Sequence, residues 1–248
     1  MSRSSLLTLV GVAVCAYAAT DLIHEVLGHG TAAALSPSVG ILSLSTVALQ
    51  TSGESRWVAA AGTIANFVAA VVAFLVARKM RGFGAGRFFW LLLGATNLFN
   101  ATAYFIFSAI LGIGDWAVVI HGREPAIVWR AAMGLVGLAT YAGAISWTAR
   151  AFAAASVPRR AIVPAYLAGG ALMVAGAAMN SISPMLILTS GVSTGFGAMA
   201  GLLLVPRRMP SDDSAALPAR PAWIIAGAIV GALFVFVVGR GIQIAKVG

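Results

Sequence analysis

Asp21-Leu22-Ile23-His24-Glu25-Val26-Leu27-Gly28-His29-Gly30 closes an apolar run that begins at Leu6, and it holds two of the three histidines in a chain of 248 residues. With Asp21 and Glu25 it also holds two of the seven acidic residues. Ionisable side chains are costly inside a bilayer, and where they occur they face one another, water or a ligand. The stretch therefore reads both as the end of a membrane span and as a candidate site.

The rest of the chain supports the membrane reading. With 60% hydrophobic residues, 9% charged residues and a mean hydropathy of +0.95, it lacks the polar surface of a soluble domain. The expected fold is an all-α polytopic membrane protein of about seven transmembrane helices. Runs near the ~20 apolar residues needed to cross a bilayer fall at Leu6 to Gly28, Trp57 to Ala77, Phe88 to Leu111, Ile127 to Thr148, Ala161 to Met179, Pro184 to Val205 and Ala222 to Val238. Pro37 to Arg56 is too polar for a span. Its alternating part, Val39 to Gln50, predicts a short strand or hairpin inserted between the first two helices. Residues 1–116 thus form a core of three spans plus the insertion, and 117–248 add further transmembrane helices without a separate soluble domain.

Arg3, the run Leu6 to Val14 and Ala16-Tyr17-Ala18 imitate a signal peptide with its cleavage site, but apolar character resumes from Thr31 to Leu35, which favours an uncleaved first span. The net charge of +9 comes from short basic clusters between apolar runs, a pattern of membrane topology and anionic lipid rather than of nucleic-acid binding. Seven crossings put eleven Lys and Arg residues on the side of the N-terminus and five on the other. The N-terminus is therefore expected in the cytoplasm, in a bacterial-type inner or plasma membrane. Trp57, Trp116, Trp129, Trp147 and Trp223 lie near span ends, as an interfacial belt requires. Cys15 is the only cysteine, which excludes an intrachain disulfide and a cysteine-rich metal site. Gly191 with Gly195, Gly197 with Gly201, and Gly227 with Gly231 suit close helix packing within the monomer, with an oligomer as the alternative. Pro206 to Pro221, carrying Asp212 and Asp213, reads as a polar cytoplasmic loop.

His-Glu followed by a second His on one helix is a common way to hold zinc: the imidazoles bind Zn2+ and the Glu takes a proton from the attacking water. Histidines four apart lie about 40 degrees around a regular helix, whereas five apart, as His24 and His29 are, they lie about 140 degrees around. A π-bulge, or a helix loosened at Gly28 and Gly30, is needed to bring both rings to one ion. Asp115 is the preferred third ligand, because parallel first and third spans would end on the same side. Helix capping competes for Asp115. Glu54 and His121 are alternative ligands from that side, and Asp21, one turn before Glu25, is placed to orient a histidine. Asn97 and Asn100 lie too deep along the third span to ligate, and suit contacts with neighbouring helices or a substrate backbone.

Residues Leu6 to Trp116 resemble the core of the site-2 protease family of intramembrane zinc metalloproteases. The resemblance rests on His24-Glu25 with His29 in the first span, the strand-like insertion, Ala60-Ala61-Gly62-Thr63-Ile64-Ala65-Asn66 opening the second span, and Asn97-Leu98-Phe99-Asn100 followed by Asp115. The family usually has Pro where Thr63 stands, His-Glu-x-x-His where this chain has one residue more, and Leu-Asp-Gly much closer to its Asn motif. The six-residue form is similar to that of soluble metalloproteases of the microcin-processing type. The resemblance implies Zn2+ as cofactor, His24, His29 and Asp115 as ligands, Glu25 as base, and Asn66, Asn97 and Asn100 as substrate-binding residues. It also implies a transmembrane protein as substrate. Two other functions stay open on the residues alone: a non-proteolytic membrane protein that binds membrane partners, and a metal-dependent hydrolase of a lipid or small amide.

Overall fold

The computed structural model describes residues 2–53, 55–180, 185, 187–210 and 217–244. Glu54, the expected start of the sixth span at Pro184, and Asp212 with Asp213 lie outside the described residues. The fold is all-α and multi-pass: seven helices are long and apolar enough to cross a membrane, at Ser5–Ala34, Arg56–Lys79, Ala85–Leu111, Ala126–Ala154, Arg159–Ala178, Ile187–Arg208 and Pro221–Val238.

The first span is composite. Helix α1 (Arg3–Leu22) passes into a π-helical segment, Ile23–Gly30, and ends as α2 (Thr31–Ala34). The span therefore runs six residues past the expected Gly28, because the π segment absorbs the glycines without breaking the helix. A hairpin follows, β1 (Ile41–Leu44) with β2 (Leu49–Thr51), paired antiparallel within the expected strand region. The second span is α3 (Arg56–Lys79), whose N-cap Ser55 accepts from the Val58 N–H. The third is α4 (Ala85–Leu111), stopped by Gly112 in the left-handed conformation at φ 70°, where a side chain would be strained. A separate short helix, α5 (Asp115–Ile120), comes before α6 (Ala126–Ala154) and α7 (Ile162–Ala178). The sixth span begins as a second π-helical segment, Ile187–Gly197, and closes through α8 (Gly201–Leu204). The last span, α9 (Pro221–Leu233), continues as a π segment at Phe234–Val238 and leads to β3 (Ile242–Gln243).

The third strand was not foreseeable from its short, unpatterned sequence. It pairs antiparallel with β1, giving the order β2-β1-β3 and leaving the outer edge of β2 without a strand partner among the described residues. The sheet joins the connection after the first span to the tail after the seventh, so both lie at one end of the bundle. An even number of crossings separates them, as a seven-span chain requires.

Helices α1 and α4 form the centre, with Leu9, Val12, Tyr17, Phe88, Leu92 and Phe99 buried in one continuous core. Exposed apolar side chains concentrate on the outer helices, for example Leu135 and Leu138 on α6 and Ile225 and Ile229 on α9, the surface expected to meet lipid. Close approach of α9 to α1 depends on glycine: a Cβ on Gly227 would collide with the Gly11 backbone. That spacing is used inside the monomer. Arg130, although on a membrane helix, is accounted for by the carbonyls at the α4 terminus: its guanidinium donates to Ala109 O at 2.8 Å and Ile110 O at 2.7 Å.

Candidate metal centre

His24 and His29 come together because the helix between them is π-helical. Hydrogen bonds from i to i+5 place residues five apart one turn from each other, and the two Nε2 atoms lie 3.2 Å apart with the rings edge to face. Helix α3 packs directly against this turn. A Cβ on Gly28 would meet the backbone of Ala61 and Gly62, and a Cβ on Gly62 would sit 2.6 Å from His29 Nε2 and 2.7 Å from His24 Nε2. Gly62 thus keeps open the space beside the two nitrogens.

The third donor arrives on α5. Asp115 occupies the first turn of that helix, and its Oδ2 lies 3.1 Å from His24 Nε2 and 3.4 Å from His29 Nε2. Two contacts seat α5 on α3. Trp116 Nε1–H donates to Thr63 Oγ1 at 3.0 Å while its ring stacks on Phe105, and the Arg56 guanidinium donates to the His121 carbonyl at 2.6 Å. Trp116 thus packs this junction, with its indole N–H bonded to the buried Thr63. The His121 side chain is exposed and does not line the site.

Each imidazole spends its Nδ1 proton elsewhere. His24 Nδ1 lies 2.6 Å from Asn66 Oδ1 and His29 Nδ1 lies 2.7 Å from the Val58 carbonyl, and both partners are acceptors. The Asn66 amide orientation follows from its own neighbours, since its Nδ2 donates to Asn97 Oδ1 at 2.7 Å and to the Thr20 carbonyl at 3.3 Å. Asn97 in turn donates to Thr20 Oγ1 and the Leu93 carbonyl. With Nδ1 protonated in both rings, the two Nε2 atoms present bare lone pairs. Two such nitrogens and a carboxylate oxygen converge within 3.4 Å, an arrangement that either bound protons or a cation relieves.

The spacing fits zinc. Tetrahedral ligands at ~2.0 to 2.2 Å from Zn2+ are about 3.3 Å from one another, and the three separations here are 3.1, 3.2 and 3.4 Å. When protons rather than a metal occupy the cluster, burial pushes the Asp115 carboxyl up, and hydrogen bonding and charge from His24 and His29 outweigh it and hold the group well below the usual carboxylate range. Glu25 belongs to the same group, with a carboxylate oxygen within 4.8 Å of ligand atoms of His24 and His29. Its Oε2 accepts from the Leu49 N–H of β2 at 2.6 Å, which ties the hairpin's outer edge to the site.

Asp21 is buried with no hydrogen bond to either imidazole, whose Nδ1 atoms are taken by Asn66 and Val58; its Oδ2 is unpartnered. Asn100 donates from Nδ2 to Asn66 Oδ1 at 3.2 Å, and its Oδ1 is left unpartnered. Tyr104, which stacks on the His24 ring at 4.6 Å between centroids, was not singled out from sequence. Neither were Gly62 as the residue beside the nitrogens and the Val58 carbonyl. The carbonyl has no side-chain signature, whereas Tyr104 falls four residues after Asn100 and so shares its helix face.

Asp21, His24, Glu25, His29, Asn100, Tyr104 and Asp115 open onto a cavity of ≈ 680 Å³ lined by the first span, β2, α3, α4, α5 and the sixth span. No Lys or Arg side chain lines it among the described residues. Comparisons with protein-family models, curated proteins and solved structures found no match. Fold and site together define a multi-pass helical membrane protein with buried His24, Glu25 and His29 at one end of its first span and half-buried Asp115 beside them.

Proposed function

We propose that this protein is an intramembrane zinc peptidase, cleaving a peptide bond in a membrane-embedded substrate. The observation that carries the reading is the convergence of His24 Nε2, His29 Nε2 and Asp115 Oδ2 within 3.4 Å, with both Nδ1 protons committed to Asn66 and Val58. His24, His29 and Asp115 would hold the ion, and Asn66 and the Val58 carbonyl keep each imidazole in the tautomer that can bind it. Bound zinc would supply Lewis acidity toward a carbonyl oxygen and toward water. Glu25, next to His24 and steadied by the Leu49 N–H, takes the proton from the attacking water and passes it to the leaving amine.

A peptide is favoured over a phospholipid by charge. Apart from the proposed ion itself, which Asp115 and Glu25 already face, the cavity is lined by acidic groups and by no Lys or Arg among the described residues, so an anionic headgroup would find no side-chain counter-charge. An extended polypeptide is neutral along its backbone, and the outer edge of β2, apart from the Leu49 N–H that Glu25 takes, offers it strand pairing. Glu25→Gln keeps the size and loses the base. That variant should retain zinc and lose cleavage of membrane substrates in reconstituted vesicles. Undiminished cleavage by Glu25→Gln would remove this mechanism.

A further inference from the structure

The sixth span, which carries no charge until Arg207, contributes four hydroxyls to the cavity wall: Thr189, Ser190, Ser193 and Thr194. The first π-helical segment of the chain aligns His24 with His29, and the second, Ile187–Gly197, likewise aligns residues five apart, here Thr189 with Thr194. Thr189 donates to the Met185 carbonyl at 3.0 Å and Ser193 to the Leu188 carbonyl at 2.9 Å, leaving both oxygens as acceptors. Ser190 and Thr194 make no hydrogen bond among the described residues. Beside this row, Asn100, only 2% exposed, lines the same cavity as well as a small second one of ≈ 10 Å³ that it shares with Thr194, and its Oδ1 has no hydrogen-bond partner. Buried acceptors without a partner are costly, so Asn100 retains hydrogen-bonding capacity next to the row of hydroxyls.

An extended peptide has two polar edges. At membrane depth each unsatisfied N–H or C=O costs several kcal/mol, and the edge of β2 can serve only one side of a strand. We propose that Thr189, Ser190, Ser193, Thr194 and Asn100 form a second peptide-binding wall, which hydrogen-bonds the substrate edge that β2 leaves unpaired. This rests on the peptidase reading, and deepens it by assigning the sixth span to substrate binding. Its chemistry selects a neutral, unwound backbone: hydroxyls and an amide oxygen take N–H groups, hydroxyl protons meet C=O groups, and nothing in the row rewards an anion.

The test uses the full-length protein in lipid nanodiscs, zinc-loaded, with three probes: acetohydroxamate, an apolar tetrapeptide hydroxamate, and the same tetrapeptide as its C-terminal amide. Ser190→Ala with Thr194→Val removes the two hydroxyls that have no partner of their own. Two hydrogen bonds at about 1 kcal/mol each correspond to a loss of about 30-fold in affinity for both tetrapeptide probes, with acetohydroxamate binding unchanged. The swap Ser190→Thr with Thr194→Ser keeps the hydroxyls and should bind all three probes as the wild type does. The wall is overturned if the hydroxyl-free variant binds the peptide amide as well as the wild type, or if the hydroxyl-preserving swap loses affinity equally. Failure of acetohydroxamate to bind the zinc-loaded wild type would instead overturn the metal reading, which the peptide amide does not require.

Discussion

Asn66 Oδ1 and His24 Nδ1 lie 2.6 Å apart, joining the second span to the first, and this contact decides which nitrogen of His24 is bare. Without it the ring is free to turn or to carry its proton on Nε2, where the metal would bind. Losing such a supporting partner typically costs about 10–100-fold in metal affinity. Asn66→Leu is expected to fall in that range, and Asn66→Asp, which keeps an acceptor at the same place, to lose less. Competition against a zinc chelator measures both. Equal affinity in Asn66→Leu and wild type would show that the contact does not tune the site.

Gly62 offers a steric test. Ala is ordinarily better than Gly in a helix by about 1 kcal/mol, yet a Cβ here would lie 2.6 and 2.7 Å from the two Nε2 atoms. Gly62→Ala should therefore displace the imidazoles and lose bound zinc. Gly143→Ala on α6, where a Cβ meets nothing within 4 Å, serves as the control and should keep its metal. Zinc content of the two purified variants checks this.

The seat of α5 is a third point of attack. Asp115 reaches the histidines because Trp116 and Thr63 hold its helix against α3. Thr63→Val keeps the shape and removes the acceptor, leaving a buried indole N–H unsatisfied at a cost of about 1–3 kcal/mol. Zinc affinity should drop by about tenfold or more, and Thr63→Ser should restore it. Affinity retained in Thr63→Val but lost in Thr63→Ser would mean that the methyl packing of Thr63, not its hydroxyl, seats the helix.

How far the sequence reached is visible at these same residues. Seven apolar runs were legible because span length is set by bilayer thickness, and the hairpin because alternation survives in a short insertion. Five-residue spacing between His24 and His29 demanded a distorted helix, and the π segment over Ile23–Gly30 is that distortion. Asp115 could be chosen from a short supply of acidic residues, but its placement on a separate helix could not, because that depends on Gly112 and Gly114 taking positive φ. Thr63 gave no sign in the sequence that its hydroxyl anchors the helix that carries Asp115. The hydroxyls of the sixth span form no recognisable motif in the sequence, and only the folded chain gathers them at one cavity. Contacts through backbone, such as Val58 O on His29 or Leu49 N on Glu25, leave no mark in a one-dimensional pattern.

His24, His29 and Asp115 are proposed to hold one zinc ion. X-ray absorption at the zinc edge, on detergent-purified wild type beside His24→Ala and Asp115→Ala, addresses it most directly. The account predicts about one zinc per chain in the wild type, with nitrogen and oxygen neighbours at ~2.0 to 2.2 Å, and loss of that signal in both variants. Less than about half an equivalent in the wild type, or a wild-type spectrum unchanged by His24→Ala, would contradict it.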